Sequence, residues 1–333
     1  MDSLTQIVLG AAVAEAVLGK KVGHKAALWG AVAGTIPDLD VLAKQVVDVV
    51  TATAWHRGFS HSVLFSVIMA PILGILVWRL YSKKEATWRQ WSWLFFWGLF
   101  THPLLDAFTT WGTQLFWPMD LRLAFQSIFV IDPLYTLPFL FCLIAALRLE
   151  RNHPKRSTYI YWGLSCSTAY LLLSLVLKGI SYHRFEEALK SQGIAYRAMD
   201  NRPAPLNTIL WMANVETETQ FLLGEYSFFD NKPIGFKSIS KDHHLLGALA
   251  QEEKVKKLVE ITEGWYAITK GNGRLYFNDL RFGLLSLAEE EKQFAFSYEL
   301  IDGPQGLRVK EVPKSRTDAK KLLGALWDRI WGN

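Results

Sequence analysis

Two long runs without a single charge constrain this chain more than any other feature. Residues 62–78 and 158–177 contain no Asp, Glu, Lys or Arg. A helix needs about 20 mostly apolar residues to cross roughly 30 Å of hydrocarbon, so such runs exclude intrinsic disorder and argue against a simple soluble enzyme. Segments 62–80, 127–148 and 158–178 meet this requirement, and 91–110 meets it despite His102 and Asp106. Segments 3–19 and 26–41, separated by KKVGHK, predict two short crossings or a re-entrant hairpin. The count is five to six hydrophobic segments.

Charge is distributed to match. Residues 1–180 carry 25 acidic and basic residues and residues 181–333 carry 42, which predicts two regions: an α-helical polytopic membrane domain over 1–180 and a small soluble α+β domain over 181–333. The excess of +5 lies wholly in the first region, with 15 Lys and Arg against 10 acids, while the second is balanced at 21 and 21. A nucleic-acid partner is therefore not expected, because a basic binding face belongs on a soluble domain.

Eleven of those 15 basic residues fall in alternate loops: Lys20, Lys21 and Lys25; Arg79, Lys83, Lys84 and Arg89; Arg148, Arg151, Lys155 and Arg156. If these loops are cytoplasmic, the positive-inside rule places the N-terminus, the 38–61 and 111–126 loops and everything beyond about 180 on the non-cytoplasmic side. Ten of the 14 Trp lie in the first region, several near segment ends, as interfacial anchoring predicts. Asp2 and Glu15 stand where a cleavable signal peptide is basic, so none is expected. Cys142 and Cys166, in apolar segments, read as small core residues.

Ionisable residues at membrane depth are costly and are functional candidates by default. Four groups qualify: Asp38 and Asp40 in TIPDLD, His56 and His61 in WHRGFSHS, His102 and Asp106 in THPLLDAFTT, and Asp132 in VIDPLY. Each falls at the predicted outer end of its segment or in an outer loop. His102 and Asp106, four apart on a helix, share one face. Three imidazoles and three carboxylates suit Zn²⁺ first, with Mn²⁺ or Fe²⁺ as alternatives, better than they suit a thiolate-binding metal. Asp132 before Pro133 reads more simply as a helix N-cap. Glu15 and His24, predicted on the inner side, read as structural.

At these residues the sequence resembles the YdjM-like family of membrane-bound, metal-dependent hydrolases, described as LexA-binding and inner-membrane-associated. The resemblance rests on MDSLTQIVLGAAVAEA, PDLD at 37–40, HRGFSHS at 56–62, HPLLDAFTTWG at 102–112 with WP at 117–118, and FVIDPLYT at 129–136, in that order, with an echo in YFNDLRFG at 276–283. More distantly it is similar to the phospholipase C and nuclease class of zinc phosphoesterases. The likeness implies Asp38, His56, His61, His102 and Asp106 as metal ligands, Asp40 as a further ligand or a residue behind one, and Arg57 as a holder of anionic groups. Relatives carry a Thr-His pair near the N-terminus where this chain reads Thr5-Gln6, which implies a ligand absent or replaced by Asp2.

In the second region, 206–217, 219–229, 264–270, 274–280 and 292–300 read as strands and 242–260 and 315–331 as amphipathic helices. Trp211, Trp265 and Tyr276 read as core, Asn278, Asp279 and Arg281 as a hairpin turn, and His243 and His244 as a solvated turn. The expectation is an inner-membrane, multi-pass, metal-dependent hydrolase of an ester or phosphoester in a lipid or envelope precursor. Asp40 orients or deprotonates the water and Arg57 stabilises developing charge. The rival is a non-catalytic metal-binding membrane protein whose C-terminal domain binds a protein partner. An ion transporter fits less well, because the inner halves of the segments are poor in ionisable residues.

Overall fold

The computed structural model describes residues 1–81, 85–271, 273–284, 294–304, 306–313 and 319–333. The chain forms two compact units, one of residues 1–42, 55–176 and 205–207, the other of 43–54, 177–204 and 208–333.

In the first unit, α1 (Ser3–Val22) and α2 (His24–Thr35) make an antiparallel hairpin hinged at Gly23, whose φ of 63° ends α1 in a conformation that favours glycine. Glycine then sets their separation. A Cβ on Gly10 would collide with the Gly30 carbonyl, and one on Gly34 with the Gln6 carbonyl, so only bare backbone permits this approach. Beyond α2 the chain bends by 42° into a 3-10 segment, Pro37–Gln45. After α3 (Val49–Trp55), which belongs almost wholly to the second unit, a short 3-10 turn, Phe59–His61, leads to α4 (Val63–Leu80), α5 (Trp88–Asp106), α6 (Pro133–Leu147) and α7 (Pro154–Ser191), whose residues from 177 on belong to the second unit. Local chemistry fixes several starts: Ser62 accepts from Phe65 N at 3.0 Å at the head of α4, and Thr87 with Gln90 forms a capping box on α5. Asp132 accepts from Leu134 N and Tyr135 N at 2.9 and 3.2 Å with Pro133 behind it, the expected cap of α6.

By length and composition, α1, α4 and α7 can cross a membrane, and α2 with Pro37–Gln45 makes a fourth if the bent pair is one span. Among the described residues this is fewer than the expected five to six. The 127–148 segment shortens to 15 residues because Asp132-Pro133 starts the helix late. α5 has the length but, with its polar residues, not the hydropathy. Lys83 and Lys84 lie outside the described residues.

The second unit is α+β, as expected. β1 (Ala198–Pro203), β2 (Leu210–Glu216), β3 (Gln220–Ser227) and β4 (Phe236–Ser240) form one antiparallel meander in order 1-2-3-4. After a 3-10 segment, His243–Gln251, and α8 (Glu253–Ile261), a second meander follows: β5 (Tyr266–Gly271), β6 (Arg274–Leu284), β7 (Phe294–Ile301) and β8 (Arg308–Glu311), with α9 (Ala319–Ile330) last. Residues 292–293 and 315–318 of the expected strand and helix lie outside the described residues.

Three expectations are corrected here. α7 runs past 178 to Ser191, because the polar stretch stays helical, with His183–Glu187 and Lys190–Glu186 paired four apart at 3.2 Å each, and Phe185 and Leu189 pack against Trp211 and Val215. Asn278, Asp279 and Arg281 lie inside β6, not in a turn. His243 is half-buried, stacked on Tyr266 with centroids 4.0 Å apart, and burial lowers its pKa. Trp211 is core, as its strand position predicts. Residues 43–54 contribute Val50, buried against Leu246, Leu258 and Phe277.

Candidate metal centre

Four side chains converge in the first unit. The bend after α2 delivers Asp38, the turn before α4 delivers His61, and one face of α5 delivers His102 and Asp106; an atom from each lies within 4.8 Å of the others. His61 Nε2 and His102 Nε2 are 3.1 Å apart. Asp38 Oδ1 is 3.4 Å from each of them, and Asp106 Oδ2 is 3.5 and 3.6 Å away. Ligands about 2.0–2.1 Å from a tetrahedral zinc are separated by about 3.3–3.4 Å, so these five separations match edges of such a tetrahedron to a few tenths of an ångström.

The backbone and neighbouring side chains fix which imidazole nitrogens point inward. His102 Nδ1 lies 2.6 Å from the Gly34 carbonyl oxygen, which can only accept, so Nδ1 carries the proton and Nε2 presents its lone pair. The glycine contact between α1 and α2 thus orients a candidate ligand. His61 Nδ1 faces Ser60 Oγ at 3.0 Å and Asp40 Oδ2 at 3.4 Å, an imidazole backed by a carboxylate.

Asp40 therefore stands behind His61, outside the four. It accepts from Arg57 N at 2.8 Å and Ser60 Oγ at 3.0 Å, and pairs with His56 Nδ1 at 2.9 Å. The structure joins His56 to Asp40, with ring centroids of His56 and His61 6.1 Å apart. Arg57 is buried with φ at 58°, a left-handed conformation costing a non-glycine residue roughly 1–2 kcal/mol. The Asp40 bond to its N–H and a 2.8 Å bond from Nη1 to Thr109 Oγ1 hold it there, with Nε 3.0 Å from Asp106 Oδ2. Asp132 is spent on capping α6 and accepting from Tyr170 at 3.0 Å.

Sequence reasoning had offered Asp2 in place of the missing histidine. Asp2 instead caps α1, accepting from Thr5 N at 3.1 Å. Gln6 takes the inward position: its Nε2 donates to Asp106 Oδ1 at 3.0 Å, while its buried Oε1 has no hydrogen-bond partner among the described residues. The amino group of Met1 also donates to Asp106. Gln6, Ser60, Thr109 and Gly34 had no signal of their own in residue type; only the place of Gln6 in the Thr5-Gln6 pair marked it.

The donor set fits a divalent cation. His61, His102 and Asp106 are fully buried, and only Asp38 is partly open, with 27% of its side chain exposed. Burial alone would lower the His61 pKa, but Asp106, Asp38 and Asp40 outweigh it and raise it to about 9. Even with the Arg57 guanidinium and the Met1 amino group at Asp106, the converging carboxylates draw further positive charge, which the imidazole supplies. A metal ion answers the same demand and displaces that proton.

Known proteins agree with the part of the chain that holds this cluster. Residues 1–181 match the family described as YdjM inner membrane protein. Inner membrane protein YbcI of Escherichia coli (strain K12) is 33% identical over 101 residues, covering 30% of this chain and 57% of that relative, so the chain spans little more than half the length of the curated relative it matches. No solved structure matches. Asp38, His61, His102 and Asp106 all lie within the matched region, and more than half of the sequence is included in it: the chain belongs to the YdjM inner membrane protein family.

Proposed function

We propose that this protein is a membrane-bound, metal-dependent hydrolase acting on an ester or phosphoester of a lipid or envelope precursor. The observation that carries this reading is the spacing of Asp38, His61, His102 and Asp106, with donor separations of 3.1–3.6 Å in a buried setting open at Asp38. When bound, a divalent metal supplies Lewis acidity and brings the pKa of a water toward neutrality. Zinc suits this mixed nitrogen and oxygen set, with manganese or iron next. In this reading Arg57 stabilises negative charge developing beside Asp106. Asp40 acts through His61 as a positioning residue, and His56, 30% exposed on the same carboxylate, links it to solvent. Asp38 marks the side from which substrate enters.

The same reading places the chain as a multi-pass protein with the cluster at the non-cytoplasmic helix ends. Supporting it, α1 carries Met1 and Gln6 at the cluster and Lys20 and Lys21 at its other end; α5 likewise runs from Arg89 to Asp106, and α4 from beside His61 to Arg79.

One observation favours a second reading. Four protein ligands close a zinc tetrahedron, the hallmark of structural sites, whereas catalytic zinc keeps a position open. The chain is then a non-catalytic metal-binding membrane protein whose C-terminal unit engages a partner. Elemental analysis of the detergent-purified whole protein, followed by a panel of lipid and phosphoester substrates, separates these. Stoichiometric metal that is lost from His102→Ala with Asp106→Ala, together with metal-dependent cleavage, supports the hydrolase. Metal without turnover selects the second reading, and absence of metal overturns both. A reporter-fusion map placing the C-terminus in the cytoplasm overturns the orientation.

A further inference from the structure

A second polar site lies toward the other end of α1. Glu15 is nine residues from Gln6, or about 14 Å along the helix axis, and is buried. Arg156, in the first turn of α7 and 2% exposed, donates from Nε to Glu15 Oε1 at 2.7 Å and from Nη1 to the Leu149 carbonyl at 2.7 Å. His24 Nε2 lies 3.4 Å from the same Nη1. Glu15, expected only to be structural, and Arg156 border a cavity of about 350 Å³ lined by Glu15, Lys20, Arg151, Arg156 and Ser157 on its polar side and by Ile160 and Tyr161 on its apolar side.

Three features point to an anionic ligand. First, Lys20, Arg151 and Arg156 face one carboxylate, so the lining keeps two positive charges beyond the Glu15 pair. Second, Arg156 Nη2 is buried with no hydrogen-bond partner among the described residues. A buried guanidinium edge without an acceptor bears a desolvation cost that an oxyanion relieves. Third, the cavity sits at the N-terminus of a 38-residue helix, where the backbone dipole favours negative charge. Its volume is in the range of small-ligand pockets, roughly 300–1,000 Å³.

We propose that this cavity binds the phosphate group of an anionic membrane lipid, with Arg156 and Arg151 as its cationic partners and Lys20 at the mouth. The lipid source follows from the setting. α1 and α7 are two of the helices long and apolar enough to cross a membrane, and Tyr161 and Trp162, beside the cavity on α7, are 56% and 62% exposed, as aromatic residues at a headgroup boundary are. Basic pockets between such helices are suited to lipid phosphates.

The test uses the whole protein, stripped of lipid in detergent and returned to nanodiscs of phosphatidylcholine alone or of phosphatidylcholine with phosphatidylglycerol. Thermal unfolding and native mass spectrometry give the readouts, and inorganic phosphate at matched ionic strength is a separate arm. Because Arg156 also holds Glu15, the informative variant is Lys20→Gln with Arg151→Gln, which leaves that pair intact. Phosphatidylglycerol is expected to raise the unfolding temperature and to be retained over phosphatidylcholine. The double variant is expected to lose about fivefold in that preference per charge removed, roughly 25-fold in all. Protection by inorganic phosphate equal to that by phosphatidylglycerol overturns the lipid as the source while upholding a phosphate site. No effect of either ligand, or a preference unchanged in the double variant, overturns the site.

Discussion

Each unit buries an aspartate against an arginine, and the two pairs serve different ends. Asp279 and Arg281, two residues apart on β6, form a bidentate pair, with Nε 3.2 Å from Oδ1 and Nη2 2.8 Å from Oδ2. Nearby, Arg202 and Asn214 both donate to the Leu280 carbonyl, so these polar groups serve to hold strands of the sheets. Arg57 Nε stands 3.0 Å from Asp106 Oδ2, and Asp106 also faces two imidazoles, the amide of Gln6 and the amino group of Met1. Buried charge alone does not mark a site. Lone pairs from three chain segments converging on one point do.

The sharpest way to break this comparison is to remove the aspartate from each pair. Asp106→Ala and Asp279→Ala each remove the carboxylate paired with a buried arginine, and each is expected to cost about 3–5 kcal/mol in thermal or denaturant unfolding. Only Asp106→Ala is expected to abolish metal content by elemental analysis. If Asp279→Ala strips the metal equally, the distinction fails. Refilling Asp279→Leu with Arg281→Met should recover most of the lost stability, since apolar replacement of a buried ion pair is often close to neutral.

Asp40→Asn tests the support behind His61. Loss of a carboxylate behind a ligating imidazole lowers metal affinity about 10–100-fold, which chelator competition measures; unchanged affinity removes Asp40 from the site. Gly34→Ala pushes a methyl group toward the Gln6 carbonyl and is expected to cost about 1–3 kcal/mol. It should also weaken metal binding, because the Gly34 carbonyl orients His102. The smallest effect is expected from Asp132→Ala, which removes the α6 cap for about 1 kcal/mol and leaves metal content intact.

Much of the centre was legible because its residue types are expensive in apolar surroundings. The HPLLD spacing put His102 and Asp106 on one face of α5, and PDLD and HRGFSHS stood out against uncharged neighbours. Residue type and spacing did not partition the roles; only the family resemblance set Asp38 apart from Asp40. That Asp40 turns to His56, Arg57 and Ser60 while Asp38 turns inward depends on the bend at Pro37, which sequence spacing does not encode. Gln6 joins the site through the packing of α1 on α5, a contact between segments about a hundred residues apart. In the second unit the central strands showed themselves by aromatic and β-branched residues. β1, β4 and β8, at sheet edges, did not: AMDNRP, FKSIS and RVKE carry the charges and proline that edges tolerate and that blur a strand pattern.

The packing of Val50 with Leu246, Leu258 and Phe277 bears on how the chain is made. Val50 leaves the ribosome almost two hundred residues before Leu246. At about 5–20 residues per second, it waits roughly 10–40 s for its partners. During that interval the apolar stretch between Asp40 and His56 is a nascent segment without its core, exposed to chaperones and proteases. A stop codon placed after the last apolar helix would remove the partners of Val50 as well as the C-terminal sheets.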